Sequence, residues 1–228
     1  MFDWYALPCG DGVSGEVELS DIGLRPHIFV IDDDMSTLKA LERLLRSTGF
    51  QVEVFISPAA FFERMPFDGV GCVLLDLRMP EMSGLDVQEA MRRRGMSLPV
   101  VFFSGDSDVR ATAQAMRNGA IDFLVKPLNE PELMDAIARA IARADGLRQQ
   151  RQREHDAAER LARLTMRERQ VCNLVAQGFL NKQIGYQLGI GEKTVKVHRG
   201  RAMHKLEVDS VAALVRLLSN ISVERPSA

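Results

Sequence analysis

Cysteine is scarce in this chain and poorly placed for pairing or for metal. The three residues, Cys9, Cys72 and Cys172, form no CxxC pair and no metal-ligand spacing. Cys72 and Cys172 stand among apolar neighbours, where a thiol packs as a small buried side chain. No apolar stretch approaches the roughly 18 residues of a membrane span, so no membrane partner is expected. Lysine and arginine are missing before Arg25, and the N-terminus has no apolar core of signal-peptide type. A cytoplasmic protein is the expectation.

Net charge is also nearly absent, at -2, but the balance hides an asymmetry. Residues 1–130 carry 12 Lys+Arg against 20 Asp+Glu, a net -8, whereas residues 131–228 carry 17 against 11, a net +6. An acidic and a basic half point to different partners, and the basic half suits nucleic acid. A length of 228 residues favours two domains, and a hydrophobic content of 46% is enough to give each a core.

Residues 1–25 read as an irregular extension, with Trp4 and Tyr5 part of a tail rather than a docking element. From His27 onward, strand and helix signals alternate. Short apolar runs predict strands over Ile28–Ile31, Val52–Phe55, Val73–Leu75, Val100–Phe103 and Phe123–Val125. Helical spacing predicts helices over Ser36–Thr48, Pro58–Arg64, Leu85–Arg94 and Val109–Arg117, and another starting near Pro131. This alternation implies right-handed βαβ units and a doubly wound parallel sheet. An order of 2-1-3-4-5, as in flavodoxin-like folds, fits this length, although periodicity alone does not prove it. From Glu132 to Leu164 turn signals are almost absent, which predicts one long helix, with a break near Gly146 as an option. Its distal run, Arg148 to Glu154, reads as a solvated linker face or a surface for a partner helix. The remainder is an all-helical unit of four helices. Thr165 and Glu168 fit a capping box, Asn181 is expected to cap the second helix, a third runs from Glu192 to about Leu206, and Ser210 caps the fourth.

Four of the five strands deliver polar groups at their C-terminal ends: Asp32-Asp33-Asp34, Asp76, Ser104-Gly105 and Lys126-Pro127. In an open parallel sheet those ends share one edge, where ligands bind. Asp32, Asp33 and Asp76 are hard oxygen ligands of the kind magnesium prefers. Asp76 can act as a nucleophile toward a phosphoryl group. Lys126 would neutralise one phosphoryl oxygen and the Ser104 hydroxyl would bond another.

These elements, with Asp76 inside Asp-Leu-Arg-Met-Pro-x-Met-Ser-Gly and Lys126 inside Phe-Leu-Val-Lys-Pro, resemble a response-regulator receiver domain. The resemblance implies that a partner histidine kinase phosphorylates Asp76. It implies Mg2+ held by Asp32, Asp33, Asp76 and the Arg78 backbone carbonyl, with Ser104 and Phe123 as the switch pair. Serine stands here for the commoner threonine, and Phe123 lacks the hydroxyl of the commoner tyrosine. A rival is the haloacid-dehalogenase type of phosphatase, with Asp32 as nucleophile and Asp34 as acid/base. It needs an acidic pair downstream of the lysine that this chain does not have, and it leaves Asp76 unexplained.

In the basic half, Val195 placed inward puts Arg199, Ala202 and Leu206 on its side at about 100° per residue. Lys193, Lys196, Val197, Gly200, Arg201 and His204 then face outward, a basic surface with small apolar positions suited to the major groove. The runs Leu-Thr-Met-Arg-Glu-Arg from 164, Asn-Lys-Gln-Ile from 181 and Thr-Val-Lys-Val-His-Arg from 194 resemble the LuxR-type helix-turn-helix. The DNA-binding candidates are Asn181, Lys182, Lys193, Thr194, Lys196, Val197, His198, Arg199 and Arg201. Glycine at 185, 191 and 200 departs from the usual pattern, and Gly200 removes one base contact.

Together the two resemblances are those of the NarL/FixJ family of transcriptional regulators, nearest its FixJ/TodT/StyR branch. They imply a receiver at 26–145, a helical linker at 146–163 and a helix-turn-helix domain at 164–228. They imply a regulator, not an enzyme beyond its own phosphorylation and dephosphorylation. The expected partners are a sensor histidine kinase, double-stranded promoter DNA, a second copy of the chain on phosphorylation, and RNA polymerase as a further candidate. An alternative keeps the DNA binding but makes the receiver a phosphorylation-independent dimerisation module.

Overall fold

A computed structural model of the chain describes residues 25–105 and 109–221, with side chains to 218. The tail with Trp4, Tyr5 and Cys9 lies outside the described residues. Two compact units divide the chain, Met1–Arg148 and Gln149–Ala228.

In the first unit, β1 (His27–Ile31), β2 (Gln51–Phe55), β3 (Gly71–Asp76), β4 (Val100–Ser104) and β5 (Asp122–Val125) form one sheet in the order β2-β1-β3-β4-β5. Every neighbouring pair is parallel. Alternation along the strands sorts side chains to two cores. Ile28, Val30, Leu74 and Val101 face α1 (Met35–Ser47) and the start of α5 (Glu130–Ala162). Phe29, Ile31, Leu75 and Phe102 face α2 (Pro58–Arg64), α3 (Gly84–Arg93) and α4 (Val109–Arg117). A sheet covered on both faces explains why its strands read as unbroken apolar runs.

Helix ends differ from the sequence reading where a side chain decides the cap. Helix α1 starts one residue early, because the Asp34 carboxylate accepts from the Ser36 and Thr37 backbone N–H groups. Gly84, not Leu85, opens α3, under a capping box between Ser83 and Asp86. Helix α5 runs unbroken through Gly146 over 33 residues, so the break near that glycine does not occur. A single helix-interior glycine costs only about 1 kcal/mol relative to alanine, too little to interrupt so long a helix.

The second unit packs α6 (Met166–Ala176), α7 (Asn181–Leu188), α8 (Glu192–Lys205) and α9 (Val211–Ile221) around Val171, Val175, Ile184, Val195, Ala202, Leu206 and Leu214. Thr165 and Glu168 form the expected capping box. The Ser210 hydroxyl accepts from the Ala213 N–H at 3.1 Å. Asn181 does not cap α7. Leu180 occupies that position, and its N–H donates to the Gln183 side chain at 2.8 Å. Gly185 is needed rather than merely tolerated, since a Cβ there would lie 2.7 Å from the Ile190 carbonyl oxygen in the turn before α8.

Candidate functional site

Strand register assembles the acidic cleft. Ile31 lies opposite Leu75, which sets the following residues, Asp32 and Asp76, side by side. Ser104 lies opposite Val125, so Lys126 emerges next to it and its N–H donates to the Ser104 carbonyl at 2.8 Å. The resulting cleft, about 330 Å³, is lined by Asp32, Asp33, Asp34, Asp76, Arg78, Ser104, Gly105 and Lys126.

Lys126 organises this cleft. Its Nζ lies 2.8 Å from Asp32 Oδ2 and 2.9 Å from Asp76 Oδ1, bridging two carboxylates that are 1% and 4% exposed. The Phe103 ring lies under the ammonium, 4.8 Å from Nζ to its centroid. The other oxygens are tied to backbone: Asp32 Oδ1 accepts from the Asp34 N–H and Asp76 Oδ2 from the Arg78 N–H, each at 2.7 Å. Burial lifts the Asp76 carboxyl above the ordinary carboxylate range, against the opposing pull of the Lys126 hydrogen bond. Partial burial works against the Lys126 ammonium, but its bonds to Asp32 and Asp76 prevail and raise its pKa.

The remaining predicted residues surround that pair. Ser104 is buried at the end of β4, Asp33 and Arg78 are exposed at the cleft, and Phe123 is half-buried on the edge strand β5. The Phe123 ring stacks on Phe102, with centroids 6.4 Å apart. Asp34, the acid/base of the phosphatase alternative, is occupied otherwise. Its carboxylate accepts from Ser36 N–H, Thr37 N–H and Thr37 Oγ1. The Ser36 N–H bond is the largest influence holding its pKa below the usual value. An N-cap held ionised does not supply a proton, and the phosphatase reading loses its acid.

Sequence reasoning named Gly84 without its reason. A Cβ at that position would lie 2.4 Å from the Asp76 carbonyl oxygen and 2.9 Å from the Phe102 ring. The glycine lets α3 start directly against the end of β3, and its N–H donates to the Leu77 carbonyl at 2.9 Å. Gln88 was missed altogether. It is buried on α3 and donates to the Ala115 carbonyl of α4 at 3.4 Å. A lone amide within a helical pattern carries no signal that it will reach 27 residues along the chain.

In the helical unit, Val195, Ala202 and Leu206 are buried, as the periodicity predicts. Lys182, Lys193, Thr194, Lys196, Val197 and Arg201 are exposed, and so are Gly200 and His204. Lys196 lies 3.2 Å from Glu192 on the helix surface. Asn181, His198 and Arg199 are half-buried, and Arg199 Nη1 donates to Asn181 Oδ1 at 3.4 Å. That bond ties α8 to the start of α7. Glu168, foreseen from the sequence only as a capping-box residue, performs a parallel task through Lys205. Its Oε2 accepts from the Thr165 N–H at 2.8 Å and from Lys205 Nζ at 2.7 Å, joining the start of α6 to the end of α8. The bond from Lys205 is the largest influence holding the Glu168 carboxyl at about 2. The buried thiols take no part. Burial pushes Cys72 up to about 12 and is the main influence raising Cys172 to about 11.

Known proteins share both halves. Residues 28–138 match the response regulator receiver domain, and residues 162–218 match the bacterial regulatory proteins of the luxR family. The chain is 39% identical to the response regulator protein TodT of Pseudomonas putida over 214 residues, covering 94% of this chain and 92% of that protein. It is 35% identical to nodulation protein W of Bradyrhizobium diazoefficiens over 222 residues, 97% of this chain and 94% of that one. The solved structure of the response regulator StyR is 43% identical, with a TM-score of 0.77 over 86% of this chain and 99% of that one. A fold of five parallel strands with an acidic cleft, followed by a helix-turn-helix unit, defines a response regulator, and the chain belongs to the NarL/FixJ family of these proteins. It works in two-component regulation of transcription, with a sensor kinase on its receiver side and DNA on its LuxR-type side. Among the described residues no helix is long and apolar enough to cross a membrane.

Proposed function

We propose that Asp76 is the phosphoacceptor and that its phosphorylation controls dimerisation and sequence-specific DNA binding. The Lys126 ammonium bridging Asp32 and Asp76 at 2.8 and 2.9 Å carries this reading. It opposes the burial that raises the Asp76 carboxyl and supplies a positive charge where phosphoryl oxygens gather. An Asp76 oxygen attacks the phosphorus of the kinase's phosphohistidine, the O–P bond forms as the P–N bond breaks, and the imidazole leaves. Lys126 then pairs with a phosphoryl oxygen, and the Ser104 hydroxyl donates to another. Phe123 follows Ser104 inward, without the hydrogen bond a tyrosine would make.

Among the described residues no three acidic, histidine or cysteine side chains already converge as a cation cage. Magnesium does not need one, because it retains several waters and takes one or two carboxylates. The hard oxygens of Asp32, Asp33 and Asp76 and the Arg78 carbonyl fit it, and when bound it would offset the negative charge that gathers during transfer.

Added charge at Asp76 remodels the face made by α4, β5 and the start of α5. Val109, Met116 and Val125 on that face are exposed by 79, 44 and 49%, apolar surface that a second copy can cover. Two helix-turn-helix units on one DNA then gain effective concentration. Lys193, Thr194, Lys196, Val197 and Arg201 of α8 face the groove. Asn181 and Lys182 meet the DNA backbone, His198 and Arg199 add further contacts, and the Arg199–Asn181 bond orients the helix. RNA polymerase is the partner of the DNA-bound dimer. On this reading the receiver spans 26–145, the linker 146–163 and the DNA-binding domain 164–228.

Incubation with magnesium and acetyl phosphate, followed by peptide mass spectrometry, tests the chemistry. One phosphoryl group is expected on Asp76, with complete loss of the signal in Asp76→Asn. An Asp76→Asn protein that still dimerises and binds DNA on phosphodonor treatment would sink the switch and leave a phosphorylation-independent regulator.

A further inference from the structure

Gly200 lies in the interior of α8, and a Cβ built there would meet nothing within 4 Å. Its φ lies outside the left-handed range. Glycines that this fold requires look different. Gly71 and Gly84 abut backbone carbonyl oxygens, and Gly189 ends α7 in the left-handed conformation. Neither packing nor backbone conformation calls for glycine at 200, and glycine inside a helix is destabilising relative to alanine. Gly146 of α5 shares the open setting, but Gly200 alone of the two sits within a cationic face.

That face consists of two rows of exposed residues spaced four apart, Lys193–Val197–Arg201 and Lys196–Gly200–His204. Each row has basic groups at its ends and a small or apolar position at its centre. Val197 is 45% exposed, and the space that a Cβ at 200 would fill is open, so these two positions leave a dent between the longer side chains at the row ends.

We propose that this dent receives a thymine methyl group from the major-groove floor, so that the helix main chain at Gly200, not a side chain, meets the base pair. The proposal rests on the reading of α8 as the DNA-contacting helix. A thymine methyl is the one apolar group the major groove displays. A Cβ at 200 would occupy its place, so the fold gives up helix stability for close approach.

Full-length wild-type protein, treated with phosphodonor, is used to select bound duplexes from a random-sequence pool. The recovered duplex is then titrated with wild type, Gly200→Ala and Gly200→Leu, and each thymine is replaced in turn by deoxyuridine. At one position, loss of the methyl weakens wild-type binding about fourfold, the worth of one buried carbon group. Gly200→Ala weakens binding to the parent duplex by at least as much, loses its sensitivity to that deoxyuridine, and melts no lower than wild type. Gly200→Leu binds more weakly still. If both variants bind as wild type does and keep its deoxyuridine sensitivity, the assignment of Gly200 is overturned. If folded wild type recovers no sequence at all, the reading of α8 as a DNA interface fails, and the proposal fails with it.

Discussion

In the α/β unit, Asp32, Asp76 and Ser104 are 1, 4 and 1% exposed and stand at the ends of three different strands. In the helical unit, Lys193, Lys196 and Arg201 are exposed and stand on a single helix. Phosphoryl chemistry needs charges preorganised away from water, where fixed groups act strongly. DNA recognition needs charges presented outward, where they meet phosphates and base edges. Substitutions in the cleft should therefore disturb folding and function together, whereas those on the outer face of α8 should separate the two.

The largest effect is expected at Lys126. Lys126→Met leaves two buried carboxylates side by side with no cation between them. Breaking such a pair costs about 2–3 kcal/mol here, below the usual range because the Lys126 side chain is 27% exposed. The sign with pH follows from the carboxyls. Asp76 is already raised by burial, and removing Lys126 removes the main influences that lower it. A carboxyl with a raised folded pKa penalises folding above that pKa, and the penalty fades as pH falls through it. Melting followed by circular dichroism should show the loss in full at pH 7 and less of it toward pH 4. Equal loss at both pH values would mean that Lys126 acts through packing on Phe103 instead. Acetyl phosphate should no longer label the protein.

Why this cleft was legible in the sequence, and its bonding was not, follows from the same geometry. Parallel strands buried on both faces must be apolar, so their polar ends stand out, and Asp32, Asp76, Ser104 and Lys126 could be picked without coordinates. The sheet order was compatible with the alternation of strands and helices but not determined by it, because alternation alone does not say which strands become neighbours. Which carboxylate Lys126 would meet was not recoverable, because that bond joins residues 94 apart in the chain. Local competition was also hidden. Asp32, Asp33 and Asp34 read alike as acids, yet Asp32 is buried against Lys126, Asp33 lies in solvent and Asp34 is used up as an N-cap. In the helical unit, periodicity separated the inward Val195 and Ala202 from the outward Lys193 and Arg201. It could not show that Asn181 would bond Arg199 rather than cap its own helix.

Glu168 offers the next, smaller test, because it is the helical unit's one buried acid among the described residues. Its carboxyl lies at about 2 in the folded chain, chiefly through Lys205, against about 4.3 when unfolded. A depressed pKa contributes stability that is present above the unfolded value and disappears as pH falls through the folded one. The unit should weaken between about pH 4.5 and 2, and Glu168→Gln should flatten that slope. At pH 7 the variant should lose about 1–2 kcal/mol, a figure reduced for the partly exposed Lys205. An unchanged acid slope in Glu168→Gln would assign the acid sensitivity elsewhere. Binding to nonspecific DNA should persist, since none of the outward cations is touched.

The smallest effect is expected where a similar pKa arises in a different setting. Glu89 on α3 also lies at about 2, first through its hydrogen bond from Arg92 and then through that from Arg93. Its ion pairs reach 2.7 and 2.9 Å, but the arginine side chains are 70 and 74% exposed. Water and salt screen such pairs, and holding two long side chains in place costs entropy that offsets the attraction. Glu89→Gln should leave the melting temperature unchanged at physiological salt, and the acid slope of the α/β unit should not flatten. Lys126→Met and Glu89→Gln then bracket the α/β unit, and Glu168→Gln places the helical unit between them. What ranks the three is the exposure of the partner cation, not the bond length, because all the bonds involved lie between 2.7 and 2.9 Å.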